Sequence, residues 1–438
     1  MKGIKWLAMT LTLVITSFYF FPFEFKFLPG ANTKMILAGI GLVLLGLNLA
    51  RYGLGKMDRD LFHLSLWAAI VSLIGFISLT YNETIDYTYA TYIVSMWVWL
   101  GGAYTVTLLM KKVHGVLHVE LVCNYLIAVC VIQCIVAYIM GQNPVVKDFI
   151  DSFLASEGFM GRVEGRIYGV GASLDVAGMR FATILFIIAY LSIHSYNFYK
   201  GILYMLSFFT IAYIGNMIGR TTTIGIIISL IYWIYIFVAG TVVQKKALSQ
   251  IMKIFSVVLI VVLPLIVFLY NNDINVHNNI RFAFEGFFSL VEKGRWETTS
   301  NEILKNMYVF PETIKTWLIG DGYFDNPFGS DPYYIGKKWA GFYMQTDVGY
   351  LRFIFYFGIC GMLTFAAYMY TVGKICMRRF KNYRFLFCLI LIINYIVWFK
   401  VSSDLFLVFA LFLCISSEEQ EEAEAMELED VMETSEEA

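Results

Sequence analysis

Charge is the scarcest property of this 438-residue sequence: Asp, Glu, Lys and Arg together make up 15% of it, against about 25% in soluble domains. Histidine is scarce as well, at 5 residues, and His114, His118, His194 and His277 form no ligand set. The 7 cysteines, at positions 123, 130, 134, 360, 376, 388 and 414, include no CxxC pair and none in the longest polar stretch. That argues against a disulfide framework or a zinc site. Asp321, Asp325 and Asp331 stand beside Gly322, Pro327, Gly329 and Pro332, off the spacing of an EF-hand loop. They read as turn formers rather than calcium ligands. Neither a metal nor a cofactor is expected.

What the chain has in excess is apolar sequence, 59% of its residues with a mean hydropathy of +0.68. The excess is packed into runs of roughly 17–25 residues, the length that crosses a bilayer as a helix. Backbone polar groups in lipid must be satisfied within the segment, so such runs become helices. The expected fold is an all-α integral membrane protein with about 12 transmembrane helices, eleven being the alternative count. Candidate spans fall at 6–22, 34–50, 61–80, 89–110, 116–140, 180–196, 201–217, 221–240, 251–270, 347–370, 384–400 and 402–416. The last two are interrupted by Lys400, Ser402, Ser403 and Asp404. No small-residue cleavage site follows the first apolar run, which therefore reads as an uncleaved span.

Lys and Arg favour cytoplasmic links. With the N-terminus inside, one set of links holds Arg51, Lys56 and Arg59, then Lys111 and Lys112, then Lys200. Lys245, Lys246 and Lys253 follow on the same side, and finally Lys374, Arg378, Arg379, Lys381 and Arg384. Two long links, 141–179 and 271–345, then face outward. The organisation expected is residues 1–270 as nine membrane helices and 271–345 as a large outer (periplasmic) loop. Residues 346–416 supply three more helices, and 417–438 an acidic cytoplasmic tail. A block of like charge at a terminus stays solvated.

The outer stretch 271–345 is far longer than an ordinary connection. It is rich in aromatics, including Trp296, Trp317, Tyr323, Tyr333, Tyr334, Trp339 and Tyr343, which disordered segments lack. It reads as a folded cap. The basic residues on this side are largely arginines: Arg162, Arg166, Arg180, Arg220, Arg281, Arg295 and Arg352. A guanidinium is a planar fork suited to phosphate, although each could instead pair with Glu157, Glu164, Glu285 or Glu297 or reach a lipid headgroup. Arg220 stands in the turn Gly219-Arg220-Thr221 at the start of a span, where helix N–H groups favour anions. Arg166 sits in a glycine-rich loop before another span.

Gly219-Arg220-Thr221, Gly294-Arg295-Trp296, Leu318-Ile319-Gly320-Asp321-Gly322, Thr346-Asp347-Val348-Gly349-Tyr350-Leu351 and Phe357-Gly358-Ile359-Cys360-Gly361 occur in that order. Together they resemble the O-antigen polymerase and ligase superfamily, over roughly residues 160–365. The resemblance implies a multispan enzyme of the bacterial inner membrane, with both termini cytoplasmic. It would use undecaprenyl-diphosphate-linked oligosaccharide in metal-independent glycosyl transfer. It further implies that outer arginines hold the donor diphosphate, matched here by Arg220 most clearly and by Arg166 and Arg295. Where ligases carry His-Asn before the Tyr-Leu pair, this chain has Asp347-Val348. That departure favours a polymerase.

The roles make physical sense. Negative charge grows on the lipid diphosphate as the glycosidic bond breaks, and fixed cations lower that barrier. Asp347 could accept the proton of the attacking sugar hydroxyl. Trp296, Tyr323, Trp339 and Tyr350 offer flat faces to sugar rings. Expected partners are the lipid-linked oligosaccharide, membrane lipids and a chain-length regulator protein; no nucleic acid is expected. Two other readings stand beside the polymerase: a ligase passing polysaccharide to a lipid acceptor, and a flippase for the same lipid-linked sugar. A transporter places ionisable groups or broken helices near the bilayer midplane, whereas these runs are almost free of internal charge and the arginines gather at one face.

Overall fold

The computed structural model describes residues 2–52, 56–155, 166–194, 197–327, 331, 334, 336–337 and 341–425. Among the described residues every extended regular element is a helix, with three isolated β-bridges as the only strand-like pairing. Ten of these helices are long and apolar enough to cross a membrane. They are α1 (Lys2–Phe20), α2 (Thr33–Tyr52), α3 (Lys56–Asn82), α4 (Tyr92–His114), α5 (Val119–Gln142), α7 (Leu174–His194), α8 (Phe198–Ile218), α9 (Thr222–Ala239), α10 (Val242–Asn272) and α15 (Gly349–Arg379). Shorter helices fill the two long links: α6 (Pro144–Asp151), α11 (Ile274–Ala283), α12 (Glu285–Lys293), α13 (Thr299–Asn306) and α14 (Ile314–Leu318).

Each of these ten helices coincides with an expected span. The last two expected spans form α16 (Arg384–Val397) and α17 (Phe406–Leu413), of 14 and 8 residues. The polar interruption between them keeps its backbone satisfied: the buried Asn394 carboxamide accepts the Leu405 N–H at 2.8 Å, and the Trp398 indole N–H donates to the Ser403 carbonyl at 2.9 Å. Helix α10 begins well before its apolar run, because Thr241 and Gln244 form a reciprocal capping box that starts the helix at Val242.

The chain divides into two compact units. The first comprises Met1–Ile36, Val106–Glu297 and Glu421–Ala438, the second Leu37–Thr105 and Thr298–Gln420. The polar passage 271–345 is thus split between them after Glu297. The first unit is centred on α7, whose residues Ala177–Ile193 are buried without a gap. Small residues let its neighbours approach closely. A Cβ on Gly225 of α9 would lie 2.3 Å from the Ala182 carbonyl oxygen, and one on Gly178 would meet the Gly219 carbonyl at 2.9 Å. The turn carrying Arg220 is therefore pressed directly onto α7.

The second unit is organised by α15, which packs against α3, α14 and α16. Its core is aromatic, with the rings of Tyr89, Phe353, Tyr356, Phe357, Phe365 and Trp398 meeting at centroid distances of 5.0–6.3 Å. Helix α15 is broken at Phe357–Gly358, where Gly358 takes φ 71°, ψ −177°. The loop after α14 satisfies the carbonyls freed by the break. Asp321 N–H donates to the Phe355 carbonyl at 2.6 Å and Gly322 N–H to the Tyr356 carbonyl at 3.1 Å. The Ser78 hydroxyl of α3 donates to the same Tyr356 oxygen at 2.7 Å. Two of the sequence motifs, 318–322 and 357–361, are thus the two sides of one backbone junction.

That junction predicts an asymmetry among glycines. A Cβ at Gly358 would fall 2.1 Å from the Leu318 carbonyl oxygen, on a backbone conformation that costs a non-glycine residue about 1–3 kcal/mol by itself. Gly358→Ala should sharply lower the detergent-solubilised Tm. Gly46→Ala, in α2 with nothing within 4 Å of the new methyl, should leave Tm unchanged or slightly raised, the gain in stability being about 1 kcal/mol at most. Equal melting of the two variants would show that the break is not structurally demanding.

Candidate functional site

In the first unit the structure brings together two of the three arginines expected at the diphosphate, Arg166 and Arg220. Both stand over one ring, that of Phe282 near the end of α11, with guanidinium carbons 3.9 Å (Arg220) and 5.1 Å (Arg166) from its centroid. Arg220 occupies the turn between α8 and α9, its side chain 13% exposed. Its Nη1 donates to Oε2 of Glu285 at 2.5 Å, and Glu285 sits in the first turn of α12, where the helix dipole favours a carboxylate. Beside it the Thr221 hydroxyl donates to Oδ1 of Asp175 at 2.6 Å. Burial draws the Arg220 pKa down, and Glu285 opposes that shift. The group stays a cation at any accessible pH.

Arg166 differs from Arg220 in its partners. Among the described residues no carboxylate forms an ion pair with it. It lines a cavity of about 400 Å³ together with Lys147, Asp148, Tyr168, Asn275, Asn278 and Asn279. The three asparagines lie at i, i+3 and i+4 on α11 and so share one helical face. Asp273 caps that helix by accepting the N–H groups of Asn275 and Val276, fixing where the face points. Opposite stands α6, capped by the Asn143 side chain with Pro144 in its first turn. It carries Lys147 and Asp148 at the cavity and exposes Val145 and Phe149. The Tyr168 hydroxyl donates to Oδ2 of Asp151 at 2.6 Å, which closes one wall. A concave site with cations and a row of carboxamides suits an oxyanion attached to a polyhydroxylated group.

Arg295 stands apart from that pair. Its side chain is 72% exposed and its Nε lies 2.7 Å from Oε1 of Glu297. Trp296 is 43% exposed, its ring packed edge-on to Phe287 at 4.9 Å and filling the space over Gly286.

Asp347 belongs to the second unit, just before α15. Its Oδ1 is 3.8 Å from Nη1 of Arg352, and the carboxylate is 20% exposed. Arg352 is buried and held from several directions. Its guanidinium lies 3.6 Å from the Phe324 ring centroid and 4.4 Å from that of Phe342. Its Nη2 donates to Oδ1 of Asp325 at 2.6 Å and to the Phe324 carbonyl at 3.0 Å, and its Nη1 to Oγ of Ser402 at 2.7 Å. Immediately upstream, Met344 and Gln345 both take positive φ, 53° and 57°, a conformation that costs non-glycine residues and clusters at functional sites.

The aromatic candidates of this unit are engaged in packing. Tyr350 donates its hydroxyl to the Tyr395 carbonyl at 2.9 Å and packs against Trp398 and Phe399. Tyr323 donates to Oδ2 of Asp331 at 2.7 Å and meets Tyr334 and Tyr343. Burial and the Asp331 carboxylate push its phenol above the usual range. Trp339 lies outside the described residues. The three aspartates set aside as turn formers go to different partners: Asp321 accepts from Lys315 and Thr316, Asp325 from Arg352, and Asp331 from Tyr323.

Sequence reasoning did not single out Lys147, Phe282 or the asparagine row. The signal in the sequence is the i, i+3, i+4 spacing of Asn275, Asn278 and Asn279, which has meaning only on a helix, and the stretch 271–345 is polar enough to read as loop.

The Glu285 carboxylate competes with any anion for Arg220, which gives opposite signs for two substitutions. With inorganic pyrophosphate as probe in titration calorimetry, Glu285→Gln should bind several-fold tighter than wild type. Arg220→Ala should bind about tenfold weaker or worse, as expected for a lost charge-assisted bond of about 1.5–3 kcal/mol. Equal affinities for all three proteins would reduce the Arg220–Glu285 pair to a tie between helices.

No family model and no curated protein matches the chain, so its functional reading rests on its own residues and the resemblance of its motifs.

Proposed function

We propose that this chain is a glycosyltransferase that polymerises undecaprenyl-diphosphate-linked oligosaccharide repeats on the outer face of a bacterial inner membrane. The observation that carries the reading is the pair Arg166 and Arg220 on one Phe282 ring, next to a cavity walled by Lys147 and three asparagines. In this reading the arginines hold the donor diphosphate, and the carboxamides take hydroxyls of the attached sugar.

The chemistry is one displacement. The acceptor hydroxyl attacks the anomeric carbon, the bond from that carbon to the diphosphate oxygen breaks, and the leaving group departs as an anion. Guanidiniums fixed in place before the reaction stabilise that charge as it grows. The hydroxyl proton goes to a carboxylate, for which Asp347, the residue marked by the motif resemblance, is the candidate. Asp347-Val348 in place of the His-Asn of ligases supports polymerase over ligase. The break in α15 at Phe357–Gly358 is a feature that a flippase would share, so the enzyme reading rests on the arginine pair over Phe282.

Deletion of the gene followed by analysis of surface polysaccharide tests the class. Loss of long chains with single capped repeats remaining supports a polymerase. Loss of all repeats from the acceptor indicates a ligase, and donor accumulating on the inner leaflet a flippase. In complementation, Arg220→Lys should insert normally yet lose about a hundredfold or more of the rate, as for removal of one donor to developing charge. Asp347→Asn should abolish chain growth if it is the base and keep a useful fraction if it only orients the acceptor. Unchanged rate and acceptor affinity would remove Asp347 from the mechanism.

Orientation has its own test. In a background without native cysteines, Val145→Cys, exposed on α6, should react with an impermeant maleimide in cells with a permeabilised outer envelope. Lys374→Cys should stay protected. The reverse pattern would overturn the outer placement of both long links.

A further inference from the structure

A second recess lies far along the chain from Arg166, between α9 and the start of α10. About 650 Å³ in volume, it is lined by Phe237 of α9 and by Lys245, Ser249, Met252, Lys253 and Ser256 of α10, among others. The lining residues of α10 recur every three or four positions and so form one stripe down a single face. The stripe grades from polar to apolar. Lys245 is in the first turn, and Lys253 follows roughly 12 Å further along the axis at 1.5 Å per residue. After Lys253 the helix carries no charged residue through Asn272. Lys253 therefore marks the level at which α10 leaves the polar region for hydrocarbon.

Helix α10 is also the least covered of the long helices, with 11% of its apolar window buried. The recess opens where lipid is the natural neighbour. Lys245 spends one proton on the Val238 carbonyl at the end of α9, at 3.1 Å, and its remaining protons face outward. Among the described residues no carboxylate forms an ion pair with Lys245 or Lys253. Ser256 donates back to the Met252 carbonyl of its own helix at 2.8 Å, and Ser249 lies on the same stripe between the two lysines.

We propose that this recess binds an anionic phospholipid, its phosphate between Lys245 and Lys253 and its acyl chain along the exposed apolar face of α10 beyond Lys253, over Val257 and Val261. Charge complementarity selects the headgroup: two ammonium groups at headgroup level attract an anion and have no preference for a zwitterion. The exposed apolar face of α10 that continues beyond Lys253 selects a lipid over a soluble phosphate, because a phosphate alone leaves that face uncovered. The site is independent of the sugar chemistry assigned to the opposite links, and it needs no particular orientation of the chain.

The full chain, purified in a neutral detergent, tests this by native mass spectrometry and by thermal melting. Phosphatidylglycerol should remain bound at detergent levels that strip phosphatidylcholine, and it should raise Tm by several degrees where phosphatidylcholine does not. Added salt should reduce the effect. Lys245→Gln/Lys253→Gln should retain the two lipids equally while its lipid-free Tm stays that of wild type. Equal retention of both lipids by wild type would make the recess a plain apolar groove and overturn the proposal. The same Tm rise with glycerol 1-phosphate alone would show a soluble-anion site and overturn it too. Persistence of the phosphatidylglycerol preference in the double variant would place the lipid elsewhere.

Discussion

The constraint on which the second unit depends is a membrane helix that stops and restarts. At Phe357–Gly358 the regular i to i−4 ladder of α15 is lost in the middle of an apolar element, where bare carbonyls have no water to turn to. Such a break is tolerated only if the chain supplies substitutes. Here the backbone N–H groups of Asp321 and Gly322 and the hydroxyl of Ser78 do so. Everything around the break follows from keeping those donors in place. Asp321 is pinned by Lys315 and Thr316. The Asn82 carboxamide reaches the Gly320 carbonyl at 3.2 Å and the Thr84 hydroxyl reaches that of Gly322 at 3.0 Å. Gly320 needs a positive φ of 85° and no side chain, since its Cβ would lie 2.5 Å from the Tyr356 oxygen.

This gives the glycine motifs a physical meaning apart from any resemblance. Leu318–Gly322 and Phe357–Gly361 read in the sequence as short signatures flanking a possible active site. In the fold they are partners, one strip of backbone docked on another. Their roles are architectural: the upper part of α15 is redirected, and the segment bearing Asp347, Tyr350 and Arg352 is carried with it.

Much of the membrane architecture was legible because length and apolarity are properties of single segments. Ten long apolar helices could be read off directly, with errors at their ends. The capping box at Thr241–Gln244 was printed in the sequence yet masked by the lysines that follow it. The last two spans were harder, since the fate of Lys400–Asp404 depends on Asn394 and Trp398 supplying hydrogen bonds across the interruption. The sites were less legible still. Arg220 was conspicuous as a cation at a span start, but its bond to Glu285, 65 residues later, is a tertiary fact. The asparagine face of α11 became visible only once that stretch was helical.

Arg352 and Arg220 sharpen what a buried guanidinium can do in such a protein. Both stack on phenyl rings and both hold a carboxylate, so neither is a bare charge. They differ in how completely their donors are used. Arg352 serves two rings, a carboxylate, a backbone carbonyl and a serine hydroxyl, and its side chain is 5% exposed. A ligand could gain from it only by dismantling the surrounding junction. Arg220 is bound more lightly to Glu285, whose own side chain is 30% exposed, and its neighbour over Phe282, Arg166, faces a cavity. A buried pair in which one partner reaches solvent can exchange that partner for an incoming anion at modest desolvation cost, because the released carboxylate is rehydrated. On that ground Arg220, with Arg166 beside it over Phe282, is open to exchange with an anion in a way that Arg352 is not, and Arg352 holds the start of α15 in place.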